Sequence, residues 1–203
     1  MEKKIAQVTS YLFHPLLMPT YMMAILFCLP TFFSSSIPID KKLIILAYVF
    51  IITFIFPVVM AFVFLKMKVI QSLQMFNRQE RSLPYLSVII FYYSIYYLFK
   101  NTQLSGIYIL IFLAIVLLTI IAFFINFKFK ISIHSMAIGA LTGILIGLSI
   151  RLNLNLIPII LAIILVSGLV CFARLALNAH KSSEVYVGYL LGIAYMLLVF
   201  YIL

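Results

Sequence analysis

The sequence predicts an all-α fold, a polytopic bundle of six to seven transmembrane helices, on three observations. Of its 203 residues, 67% are hydrophobic. Only 9% are charged. The apolar residues come in runs close to the ~20 residues a helix needs to cross a bilayer, with short polar connections between them. A soluble domain of this length cannot hide so much apolar surface, whereas a bilayer surrounds every helix with apolar solvent. Residues 1–203 therefore read as a single integral membrane domain with no separate soluble part.

The runs follow in order. The first, Tyr11 to Phe33, contains His14, Pro15, Pro19 and Pro30, so its start is expected to be kinked or interfacial. Lys3 and Lys4 before it resemble the charged start of a signal peptide, but no small-residue cleavage site follows, and the segment is read as retained. The second, Leu43 to Leu65, is a clear span. The third, Tyr85 to Phe99, is short and rich in Tyr. The fourth, Ile107 to Phe127, is the most uniformly apolar. The fifth, sixth and seventh run from about Ser135 to Ile150, Leu156 to Phe172 and Val185 to Leu203. All read as helices, because unpaired backbone is not tolerated against lipid.

Glycines recur at four-residue spacing in two of these runs: Gly139, Gly143 and Gly147 in the fifth, Gly188 and Gly192 in the seventh. Small residues so spaced let helix backbones approach closely, so these two helices are expected in the tight core of the bundle. Cys28 and Cys171 each lie within an apolar run, and neither a disulfide nor a metal pair is expected.

The net charge is +10. In a soluble protein that would suggest nucleic acid. Here most basic residues flank apolar runs, where they anchor helix ends and set topology, so the expected partner is the bilayer and not nucleic acid. With seven spans, the N-terminus and connections 2–3, 4–5 and 6–7 share one side. Three polar clusters fall there: Asn77, Arg78, Glu80, Arg81 and Pro84; then Ser132 and His134; then Arg174, Asn178, His180, Lys181 and Glu184. Two of the three histidines and two of the four acids thus converge on one surface. Polar groups at membrane depth are costly and usually functional. Basic residues are also more numerous on that side, which taken plainly by the positive-inside rule would make it cytoplasmic, but without Arg78, Arg81, Arg174 and Lys181, which belong to the clusters, the two sides are nearly balanced and either orientation stays open.

The composition of the clusters points to an anion, most simply phosphate, for which the forked donors of Arg are suited. Two histidines can divide nucleophilic attack from protonation of the leaving group. Glu184, four residues after His180, can fix an imidazole tautomer, and Ser132 can add a donor to the phosphate. His134, His180 and Glu184 could also be a zinc set, but the spacing lacks the His-Glu-x-x-His pattern, and three arginines beside a dication are unfavourable without a phosphate between them. No cofactor and no metal are expected. A transporter is disfavoured by the lack of charged residues deep within the spans.

Ala173-Arg174, five residues, His180, three residues and Glu184 resemble the third motif of the type 2 phosphatidic acid phosphatase superfamily (Ser-Arg, five residues, His, three residues, Asp), with Ala for Ser and Glu for Asp. Ile131-Ser132-Ile133-His134 keeps Ser and His of the second motif, Pro-Ser-Gly-His. Asn77 to Pro84 is a degenerate form of the first motif, Lys, six residues, Arg-Pro, with Arg81 as counterpart of the Arg and Arg78 in place of the Lys. The resemblance spans about 78–192. It implies a metal-independent lipid phosphatase acting through a phosphohistidine. His180 is the implied nucleophile, His134 the acid and Glu184 the orienting carboxylate, with Arg174, Arg81, Arg78 and Ser132 on the phosphate. The implied substrate is a membrane lipid phosphate or diphosphate, such as undecaprenyl diphosphate or phosphatidic acid, and the implied setting is the inner membrane of a bacterium. The altered motifs equally suit an inactive member that binds lipid headgroups or serves as a scaffold. Oligomeric state cannot be read from the sequence.

Overall fold

In the computed structural model the described residues are 2–73, 75 and 79–202, and among them every regular element is helical. The helices are α1 (Glu2–Leu12), α2 (Met18–Cys28), α3 (Phe32–Ser35), α4 (Ile39–Phe50), α5 (Phe56–Lys66), α6 (Ser82–Lys100), α7 (Gly106–Asn126), α8 (Ile133–Arg151), α9 (Ile157–Ala176) and α10 (Ser182–Ile202). Seven described segments are long and apolar enough to cross a membrane: Glu2–Cys28, Ile39–Lys66, Gln79–Lys100, Gly106–Asn126, Ile133–Arg151, Ile157–Ala176 and Ser182–Ile202. The chain is an all-α, multi-pass integral membrane protein.

The first segment departs from the sequence expectation at its start. Helix begins at Glu2 and not near Tyr11, because α1 is amphipathic: Ala6 and Ser10, four residues apart, are buried while Lys3, Lys4 and Gln7 are exposed. A hydropathy reading passes over such a helix. The expected kink is present as a 3-10 turn, Pro15–Leu17, between α1 and α2. The second segment holds a π turn, Ile51–Ile55, between α4 and α5. Pro57 follows it and cannot donate to the helix ladder, so the irregular turn sits where a regular bond would be lost.

Two compact units form, Met1–Pro15 with Phe124–Leu203, and Leu16–Phe123. In the first, α8 is the central element, with a run of buried residues from Ser135 to Leu148. It packs in parallel against α10 along the glycines. A Cβ on Gly143 would lie 2.8 Å from the Ile193 carbonyl, and one on Gly139 or Gly192 would collide with the backbone of the facing helix. The close approach foreseen from the spacing is therefore present. Two asparagines turn the chain from α8 to α9 and from α9 to α10. Asn153 and Asn178 have φ of 50° and 51°. Around each, two backbone bonds close a Schellman motif: Leu154 N–H to Ser149 O at 3.0 Å with Asn153 N–H to Ile150 O at 3.4 Å, and Ala179 N–H to Arg174 O at 3.2 Å with Asn178 N–H to Leu175 O at 2.9 Å. In the second unit α2 packs on α4 and α5 on α6. Its core includes Phe27, Phe33, Phe99, Tyr108 and Phe112, in edge-to-face contacts.

Candidate functional site

The turn between α9 and α10 brings out the first pair of groups. Asn178 reverses the chain, His180 follows two residues later, and α10 opens at Ser182. Glu184 is then in the third helical position. Its Oε2 accepts the Lys181 backbone N–H at 3.2 Å, the half of a capping box that a Glu in this place supplies. The same oxygen accepts from His180 Nδ1 at 2.8 Å. A carboxylate only accepts, so Nδ1 carries a hydrogen, and in the neutral imidazole the lone pair is then on Nε2. The pair is well enclosed, with side chains 4% and 12% exposed for His180 and Glu184. The structure thus offers a reason for Glu here: its longer side chain both caps α10 and holds His180.

The N-termini of α8 and α10 are tied together at this end. Ser132 N–H donates to the Glu184 carbonyl at 3.1 Å. Gly188 makes the approach feasible, since a Cβ there would lie 2.7 Å from the Ser132 carbonyl. Ser132 itself is the N-cap of α8. Its hydroxyl lies 3.0 Å from Ser135 Oγ and accepts the Ser135 N–H at 3.5 Å, and the residue is fully buried. The hydroxyl expected to serve as a phosphate donor also caps a helix. Two parallel helices present their N-termini here, where backbone dipoles favour negative charge.

His134 lies in the first turn of α8, and Arg174 in the last turn of α9; both were expected in connections and are instead helical. A residue from the far end of the chain meets them. Arg174 Nη1 donates to Ser10 Oγ at 3.2 Å, and His134 Nε2 to the Ser10 carbonyl at 3.3 Å. The His14 ring packs edge-on to His134, centroids 5.4 Å apart and planes at 81°. Arg174, His14 and His180 all stand within electrostatic reach of His134. All three histidines, Arg174 and Glu184 therefore belong to the first unit. Next to the His180–Glu184 pair is an open cleft of about 580 Å³, whose walls include Lys130, Asn178, Lys181 and Ser182.

Ser10 and His14 escaped the sequence reading. Ser10 contributes partly through its carbonyl, which no residue type signals. His14 did carry a signal, being the third histidine in a chain with few titratable groups, next to an N-terminus on the same side as the clusters. Arg81 lies in the second unit, in the 3-10 turn Gln79–Arg81, and its Nε donates to the Met75 carbonyl at 3.0 Å. Arg78 lies outside the described residues. Among the described residues, no three side chains of His, Cys, Asp and Glu group as a metal centre would require.

Chemically, the first unit holds an imidazole with its lone pair directed by a carboxylate, a guanidinium, a second imidazole and two helix N-termini. That set can attack, neutralise and protonate a phosphoryl group. No family model, curated protein or solved structure matches the chain.

Proposed function

We propose that this protein is an integral membrane phosphatase that cleaves a lipid phosphate or diphosphate through a phosphohistidine, as a divergent member of the type 2 phosphatidic acid phosphatase superfamily. The observation that carries the reading is the enclosed His180–Glu184 pair, in which the carboxylate holds the imidazole by Nδ1. His180 Nε2 attacks phosphorus and the bond from phosphorus to the lipid oxygen breaks. The leaving oxygen takes a proton from Nδ1 of His134, which enters this step as the imidazolium with its Nε2–H on the Ser10 carbonyl and recovers the proton from the attacking water in the next. Water then attacks phosphorus, the N–P bond breaks, inorganic phosphate departs and His180 is restored. Arg174, Lys181 and the N-terminus of α10 neutralise the phosphoryl oxygens as charge accumulates. Arg81 and Arg78 remain counterparts of the degenerate first motif. The substrate enters from the bilayer, which suits a chain of membrane helices, and candidates are undecaprenyl diphosphate and phosphatidic acid in a bacterial inner membrane.

One observation favours a second reading, a non-catalytic member that binds lipid headgroups or acts as a scaffold. The Ser132 hydroxyl is buried and bonded to Ser135 as the cap of α8. Phosphate release by the purified protein in detergent with EDTA, over a small lipid panel, decides between them. The expected result is release that vanishes in His180→Ala. No release from folded protein on any lipid would favour the binding reading.

A further inference from the structure

Ser10 joins two functional groups that are otherwise held by different helices. Its residue is buried on the face of α1 that packs on α9. α1 closes with the Phe13 N–H on the Thr9 carbonyl at 2.9 Å, just before the Pro15–Leu17 turn interrupts the helix. Carbonyls of a final turn point beyond the helix and need outside donors. The Ser10 carbonyl receives one from His134 Nε2, while its hydroxyl receives another from Arg174 Nη1. Both donors carry or can carry positive charge, and both meet the negative end of α1, where the helix dipole favours cations. His14, four residues on, packs its ring nearly perpendicular to the His134 ring.

We propose that Ser10 is a positioning residue for the phosphate site: its hydroxyl holds the Arg174 guanidinium and its carbonyl holds the His134 imidazole, so that α1 is a structural part of the anion site. The proposal rests on the reading of Arg174 and His134 as phosphate-handling groups. Ser10 touches neither phosphorus nor lipid; it acts through the two side chains it aims.

The test is a double-mutant cycle on Ser10→Ala and Arg174→Ala, read by the binding of inorganic phosphate to the detergent-purified protein and by KM and kcat on a lipid monophosphate. Ser10→Ala removes only the hydroxyl. Affinity should fall about 10-fold, the scale of a hydrogen bond to a charged group, and KM should rise more than kcat falls. Ser10→Thr keeps the hydroxyl and should restore both. In the Arg174→Ala background, Ser10→Ala should cost nothing further. Wild-type affinity in Ser10→Ala would overturn the proposal, as would an equal loss in the Arg174→Ala background. A fall in melting temperature and affinity that Ser10→Thr does not rescue would do the same. Phosphate binding without turnover in the wild type sinks the hydrolase reading alone, and the binding cycle still judges Ser10. A wild type that neither binds nor releases phosphate overturns both.

Discussion

The two units share helix-internal hydroxyl bonds but differ in which polar groups they bring together across helices. In Leu16–Phe123, hydroxyls mostly turn back to their own helix: Ser87 to the Pro84 carbonyl at 2.8 Å, Ser94 to Ile90 at 2.8 Å, Thr119 to Ile115 at 2.8 Å. Longer reaches there include Thr53 Oγ1 on the Leu16 carbonyl at 3.3 Å and Lys42 Nζ, which donates to the Phe27 carbonyl at 3.1 Å and to Ser34 Oγ at 3.0 Å. In the first unit, polar groups from different helices meet: Arg174 with Ser10, His134 with Ser10, Thr142 with Ser167. A local bond merely satisfies a group in a dry environment, whereas a bond between helices fixes one functional group relative to another. That difference is why the proposed chemistry is built from the first unit.

The largest effect that would break this comparison is at His180. Its replacement by Ala should lower phosphate release on the order of 10³-fold or more, as loss of a covalent nucleophile does. Retained release would move the chemistry elsewhere. Next is Arg174→Ala, expected to cost on the order of 10²-fold as an electrostatic stabiliser, against Arg81→Ala in the second unit, expected to cost less. Equal losses in kcat/KM would show that the reaction draws on both units. Glu184→Gln separates two functions of one side chain. Gln still accepts the Lys181 N–H and serves the capping box, so the melting temperature should stay nearly constant, while loss of the charge on His180 lowers kcat by roughly 10-fold or more. A parallel fall in melting temperature and rate would reduce Glu184 to a helix cap. Gly192→Leu should destabilise the first unit by about 1–3 kcal/mol through overpacking against α8, whereas Gly168→Leu, where a Cβ would meet nothing within 4 Å, should be close to neutral in detergent melts. The smallest change is Lys42→Met in the second unit, expected to lose about 1 kcal/mol of stability with turnover intact.

Much of the fold was legible because lipid imposes a simple pattern. Helices α7 to α10 begin and end within a few residues of their apolar runs, since nearly every position there is apolar and a span can be nothing else. The glycine spacing placed α8 and α10 in the tight core for an equally direct reason, since only a missing Cβ allows two backbones so near, although it did not name them as each other's partners. What was hidden obeys other rules. α1 hid behind Lys3, Lys4 and Gln7, whose polarity conceals a buried Ala6–Ser10 edge. The last turn of α9 was hidden because Asn178, not Gly, takes the left-handed turn, so Arg174 looked like a loop residue when it is helical. His180 and Glu184 were legible as a pair from their spacing of four. The cap at Ser132 and the carbonyl at Ser10 were not, because both depend on which backbone group is left without a partner, and that is decided by tertiary structure.

The contact between Arg174 and Ser10 links residues 164 positions apart. At ribosomal rates of about 5–20 residues per second, that separation is roughly 8 to 33 s of synthesis. During that interval α1 has been made and α9, the surface that will cover Ala6 and Ser10, has not. A nascent chain must therefore keep an amphipathic helix from other partners until its sixth segment is inserted, and interruption of translation before Ile157 would leave that helix exposed to whatever binds such segments.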